Sequence, residues 1–267
     1  MESAQFSAGA PATIGSRALI TRVDGTRWHA VEDDRVVGRG EASHRPDGRV
    51  FLSIDTWLGA VFDRLAAAML ADLAGPVRTL VDEADHDITS RWERAGLAVR
   101  RRERQYLVAT DPPATGLDTA PTPSGVTILP LGDADERPLR ELYEAIRAEV
   151  DAGPGWDTMP VEMPPRPAGA PLGASTYAVA AGADRYEGLA RVVARRRHAR
   201  IGLVAVRAGQ RRRGIARALL AEVLGGLHRG GIEAATADVD ASNSAATALL
   251  GGIGARHVGG VVELGRG

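Results

Sequence analysis

The chain contains neither cysteine nor lysine; its 33 strongly basic residues are all arginine. The missing thiol excludes disulfides, thiolate nucleophiles and Cys-ligated zinc. The missing amine excludes Schiff-base chemistry on a lysine of this chain. It also removes the phosphate-binding lysine of a P-loop, and neither GxxxxGK[ST] nor GxGxxG occurs. No apolar run is long enough to span a bilayer. Charge of one sign is not in excess either. The 33 basic residues face 34 acidic ones, for a net charge of −1, which argues against a general electrostatic grip on nucleic acid or an anionic membrane. Residues 1–16 lack the basic, apolar layout of a secretion signal and read as a disordered lead. A cytoplasmic protein is the expectation. At 267 residues, the chain suits one large or two small domains.

What is present is organised around residues 201–229, IGLVAVRAGQRRRGIARALLAEVLGGLHR. The apolar, β-branched run Ile201–Val206 reads as a buried strand. A basic turn through Arg211, Arg212 and Arg213 reaches Gly214. Then Leu219, Leu220, Val223, Leu224 and Leu227 fall at helical spacing. Strand, basic turn, helix is an arrangement suited to anions. The first amides of a helix have no intrahelical acceptor, and the dipole adds positive potential there. Gly214 and Ala216 let a phosphate approach the backbone.

The turn resembles the acyl-CoA pyrophosphate loop of the GCN5-related N-acetyltransferase (GNAT) superfamily, Arg/Gln-x-x-Gly-x-Gly/Ala. Here that pattern is Arg211-Arg212-Arg213-Gly214-Ile215-Ala216. The likeness continues in a strand-like run at 234–239 and in Asn243, Ala246 and Leu249, which match Asn-x-x-Ala-x-x-Leu. It implies an α/β (α+β) fold with a mixed central sheet flanked by helices. It also implies acyl transfer to an amine, with acetyl-CoA as the default co-substrate and no metal. The cofactor-binding residues it implies are Leu203, Val204 and Val206 on the strand, Arg211 to Ala216 in the loop, and Asn243. Gly202 is a candidate bulge that opens the strand. Many relatives place a tyrosine as general acid where this chain has Leu250, and some place a glutamate on the central strand, where 201–206 has none. Asp157 and Asp240 are then the first candidates for the base, followed by Glu187 and His198. Ser244 or Ser242 is a candidate for the missing acid.

The two halves share an order of hairpin, strand, helix, strand, short helix, strand. Residues 17–110 therefore read as a degenerate, non-catalytic copy, with only Asp55-Thr56 between strand and helix where the second half has its basic loop. That helix is expected to start at a cap on Asp55 or Thr56, with Trp57 on its apolar stripe. Asp85-His86-Asp87 reads as an exposed cap rather than a metal site. Residues 111–125 are a Pro- and Thr-rich linker, and 126–267 are the catalytic domain. Its first helix is expected to be capped by Asp133 or Asp135 and to pair Arg140 with Glu144. The segment 153–173 contains six prolines and reads as a cover over the acceptor, with Asp157 and Glu162 as candidate ligands for a cationic amine. The turn 195–200 carries four arginines and a histidine, read as either a solvated tip or a contact to an anionic group. The functional expectation is N-acetylation of a small-molecule amine by a monomer or homodimer. A regulatory acyl-CoA sensor or a protein N-acetyltransferase is the alternative.

Overall fold

The computed structural model describes residues 17–45, 48–119, 121–153, 155, 171–195 and 197–267. Asp157, Glu162 and most of the Pro-rich segment lie outside the described residues. Contacts divide the chain into two compact units, residues 1–100 with 262–267, and residues 101–261. The division falls at 100/101, and the last six residues return to the first unit.

The first unit opens with a meander: β1 (Leu19–Arg22), β2 (Arg27–Glu32), β3 (Arg35–His44) and β4 (Val50–Asp55), all antiparallel neighbours. Strand β5 (Val77–Asp82) then lies parallel to β4. The crossover between them is helix α1 (Gly59–Asp72), which buries Val61, Phe62, Leu65, Met69 and Leu70 at helical spacing. Helix α2 (His86–Arg94) packs its Trp92 edge-on to Phe62 at 5.2 Å. Asp85 is its cap and accepts from the Ile88 amide. The α1 expectation needs correcting. Its N-cap is Leu58, without a side-chain bond, and the Thr56 hydroxyl instead accepts from the Leu58 amide and donates to Val37 O. Trp57 is 92% exposed and lies off the apolar stripe.

Two strands are divided between the units. β6 (Ala98–Ala109) starts in the first, and β12 (Arg256–Arg266) starts in the second and ends in the first. The end of β12 lies beside β5 and buries Val262 and Leu264 in the first unit's core.

The second unit has strand order β12-β6-β11-β10-β9-β8-β7, where β7 is Thr127–Leu129, β8 Tyr177–Ala181, β9 Tyr186–Arg195, β10 His198–Val206 and β11 Ala234–Asp240. Only β10 and β11 pair in parallel among the pairs from β6 to β7. Their crossover is helix α5 (Ile215–Arg229), with α6 (Ser244–Gly251) following β11. A one-turn helix, α3 (Pro112–Thr115), lies within the expected linker, and Leu117 just after it is buried. Helix α4 (Glu136–Asp151) packs Leu139, Leu142 and Ile146 with Tyr177, Val179 and Leu189, while α5 and α6 bury the other cluster. Asp135 takes the α4 N-cap position without a side-chain bond, and Arg140 pairs with Glu136 at 3.0 Å rather than with Glu144. The spacing is still i, i+4, with the acid on the N-terminal side, which the helix dipole favours.

Candidate acyl-CoA site

The site is built where β10 ends. The register between β9 and β10 shifts between Ile201 and Leu203, so Gly202 is an extra residue. Side-chain direction records the same bulge. Residues two apart in a regular strand share a face, yet Ile201 belongs to the α5 cluster and Leu203 packs against the α4 cluster. Beyond the bulge, Val204 and Val206 turn to the α5 side and Ala205 to the α4 side. Parallel pairing of β10 with β11 covers only Ala199, Arg200 and Ile201, although the strands run on to Val206 and Asp240. Past Gly202, the β10 edge that faces β11 is released from the ladder, and this is the opening that an extended chain needs in order to bond there.

The loop follows. A 3-10 turn over Ala208–Gln210 leads to Arg211 in extended conformation, Arg212 at φ 65° and Gly214 at φ 85°, and α5 begins at Ile215. Left-handed backbone suits glycine, and a non-glycine residue there is uncommon. The first helical bond is Ala218 N–H to Gly214 O. The amides of residues 212–217 therefore have no acceptor among the described residues. Such a run of amides at a helix start, with positive φ between them, is an anion nest.

The three arginines are not equivalent. Arg211 donates through Nε to Val206 O at 3.2 Å and through Nη2 to Glu149 at 3.2 Å. Arg213 donates to Gln210 Oε1 and, at 2.9 Å, to Ser124 O. Arg212 is exposed and has no side-chain partner among the described residues. Arg217 ties α5 to the end of α6 through Gly252 O at 3.0 Å. The connector borders the nest, because a Cβ on Gly214 would lie 3.9 Å from Pro123.

At the other side of the opening, Asn243 caps α6 and its Oδ1 accepts from the Ala246 amide at 3.0 Å. That use leaves its amide group to donate. Asp240, 5% exposed, accepts through Oδ1 from the amide (2.8 Å) and hydroxyl of Ser242, so one oxygen is spent on the turn. Ser244 is exposed at the first position of α6. Leu250 is 5% exposed and belongs to the core with Ile253. Glu187 lies beside the end of β10, where its carbonyl accepts from the Arg207 amide at 3.0 Å. It accepts from Arg185 at 3.2 Å, and a Cβ on Gly182 would lie 3.0 Å from its Cγ, which places its carboxylate over the β8–β9 turn. Arg200 is not a free cation of the basic turn, since it pairs with Asp238 at 2.7 Å. His198 is exposed at the start of β10, the opposite end of that strand from the loop.

Glu103, which the sequence did not single out, lies on β6 directly across from Asp240, is 7% exposed, and pairs with Arg101. Only the strand register puts it there.

A family model described as acetyltransferase (GNAT) family matches residues 159–254. The second unit carries a GNAT-family domain. No curated protein matches the chain significantly. Among solved structures, a GCN5-related N-acetyltransferase from Sphaerobacter thermophilus aligns with a TM-score of 0.62 at 18% identity, over 92% of this chain and 82% of that one. A tandem GNAT protein from the clavulanic acid biosynthesis pathway, solved without AcCoA, aligns at 0.61 and 14% identity, over 90% and 82%. A GCN5-related N-acetyltransferase from Kribbella flavida aligns at 0.53 and 16% identity, over 94% and 95%. At these identities the likeness is one of fold. It extends beyond the matched segment of the GNAT domain to nine-tenths of the chain.

Proposed function

We propose that this chain is an acyl-CoA-dependent N-acyltransferase that moves an acetyl group from acetyl-CoA to the amine of a small molecule. The observation that carries the proposal is the run of unpaired amides at 212–217 beside the opened edge of β10. Acetyl-CoA supplies the thioester. The nest amides and Arg212 would bind its diphosphate, and the released edge at Leu203, Val204 and Val206 would bond its pantetheine amides. Asn243 would add a donor at the far side. The amine attacks the thioester carbonyl, the C–S bond breaks, and the amine proton leaves through a base. Asp240 is the described candidate for that base, with Ser242 holding its other oxygen in place. Asp157 is the other candidate base. Ser244 or water would protonate the departing thiolate, which is itself a tolerable leaving group because thiols ionise near pH ~8.5.

The first unit is read as a non-catalytic copy of the same fold. Its β4-to-α1 turn has no basic loop. The Arg91 guanidinium lies against Gly59 at the start of α1, over the space that a Cβ there would take. Asp63 (3.0 Å) and Asp87 (2.9 Å) neutralise that guanidinium.

A second reading is favoured by Leu250. An apolar residue in the core cannot supply the hydroxyl that many relatives place there, which suits an acyl-CoA sensor. Measuring CoA release from acetyl-CoA across a panel of small amines separates the two. Turnover with any amine supports the enzyme, whereas acetyl-CoA binding with no turnover on the whole panel supports the sensor.

A further inference from the structure

A phosphate-binding loop does not ordinarily carry a carboxylate, because the two anions repel. Here Glu149, in the last turn of α4, reaches the base of the loop from 59 residues away. Its Oε2 accepts from the Ala208 amide at 2.9 Å and from Arg211 Nη2 at 3.2 Å. The Arg211 guanidinium closes the other side on Val206 O at 3.2 Å, and the Arg211 amide turns back to Ala208 O. The end of β10, the 3-10 turn and α4 are thereby joined in one ring of bonds, with the Glu149 side chain 26% exposed at its centre.

That ring ends where the nest begins. Ala208 and Arg211 are satisfied by it, and beyond the lone unpaired amide of Gly209 the continuous run of unpaired amides starts at Arg212. The carboxylate therefore takes the amide in front of the nest rather than one within it. Its charge is matched by Arg211, so the repulsion toward a diphosphate is cancelled locally, and Arg212 is left as the loop cation facing outward.

We infer that Glu149 is a positioning residue for the acyl-CoA loop. It fixes the turn before the nest, so that the amides of 212–217 converge before any ligand arrives. A nest held in advance avoids the cost of ordering it during binding. This inference rests on the acyl-CoA reading above, and its test keeps the two apart.

The full chain is compared with Glu149→Ala and Glu149→Gln by two measurements. One is hydrogen exchange of the peptide over residues 207–214 without ligand, and the other is calorimetric affinity for acetyl-CoA. Glu149→Ala should speed exchange about 10-fold or more and weaken acetyl-CoA about 5-fold or more. Glu149→Gln keeps an oxygen for the Ala208 amide, and both readouts should stay within about 2-fold of the unaltered protein. Unchanged exchange and affinity in Glu149→Ala would overturn the inference. So would tighter binding in both variants, since the carboxylate would then oppose the ligand. If the unaltered protein binds no acetyl-CoA, the acyl-CoA reading falls. The exchange measurement then decides by itself whether Glu149 braces the loop.

Discussion

Arg211, Arg212 and Arg213 are identical in type and adjacent in sequence, yet the fold gives them different work. Two are tied to protein acceptors, and Arg212 faces outward. Arg212→Ala should therefore weaken acetyl-CoA about 10-fold with no change in melting temperature, as expected for loss of one charge-assisted bond to phosphate. Isothermal calorimetry and a thermal melt check both halves of that statement. Asp24 offers a test in the first unit that does not depend on any ligand. The Thr26 amide at 2.8 Å, and then Arg27, hold its carboxyl down to about 2 from 3.8. A depressed folded value means that the stabilising contribution is present above the unfolded value and is lost as pH falls through the folded one. Carboxyl NMR should place the Asp24 midpoint near 2, and a midpoint near 3.8 would contradict the turn geometry. At this scale the sequence was legible where a motif fixes the backbone, as at Gly214 and Asn243. It was not legible where pairing chooses among like residues. Nothing in the order of letters says that Arg200 finds Asp238 or that Glu187 folds back over its own turn.

At the scale of elements, periodicity located the helices and strands well, because apolar spacing and burial are the same physical fact seen twice. Helix starts were less legible. Asp135 and Asp55 are good caps by composition, but α4 has no side-chain cap bond and α1 begins after Leu58. The bulge at Gly202 was foreseeable as a glycine in a strand. Its consequence, the change of face between Ile201 and Leu203, needed the register. Asn243→Ala should cost about 1 kcal/mol through loss of the α6 cap, measured by denaturant unfolding. Leu250→Ala should cost about 2–5 kcal/mol, because the site is core rather than an open pocket. A neutral Leu250→Ala would mean that the side chain faces open space.

For the whole molecule, the repeated order of elements leads to a two-part reading with a linker at 111–125, whereas contacts divide the chain at 100/101. The return of residues 262–267 to the first unit was not legible, since it joins segments about as far apart as the chain allows. Those residues supply Val262 and Leu264 to the first core. Glu263, 1% exposed, pairs with Arg78 at 2.5 Å, and Arg266 donates to Leu70 O at the end of α1. Deleting 262–267 should abolish the cooperative unfolding of the first unit, because an unpaired Arg78 and an opened core are left together. Calorimetry that still shows a normal transition for that unit would refute the shared-strand description.

The account as a whole turns on where a diphosphate settles. A crystal structure with acetyl-CoA tests it most directly. The expected result is diphosphate oxygens within hydrogen-bond distance of amides among residues 212–217, with the pantetheine arm along β10 beyond Gly202. A diphosphate bound elsewhere, with those amides unengaged, would contradict it.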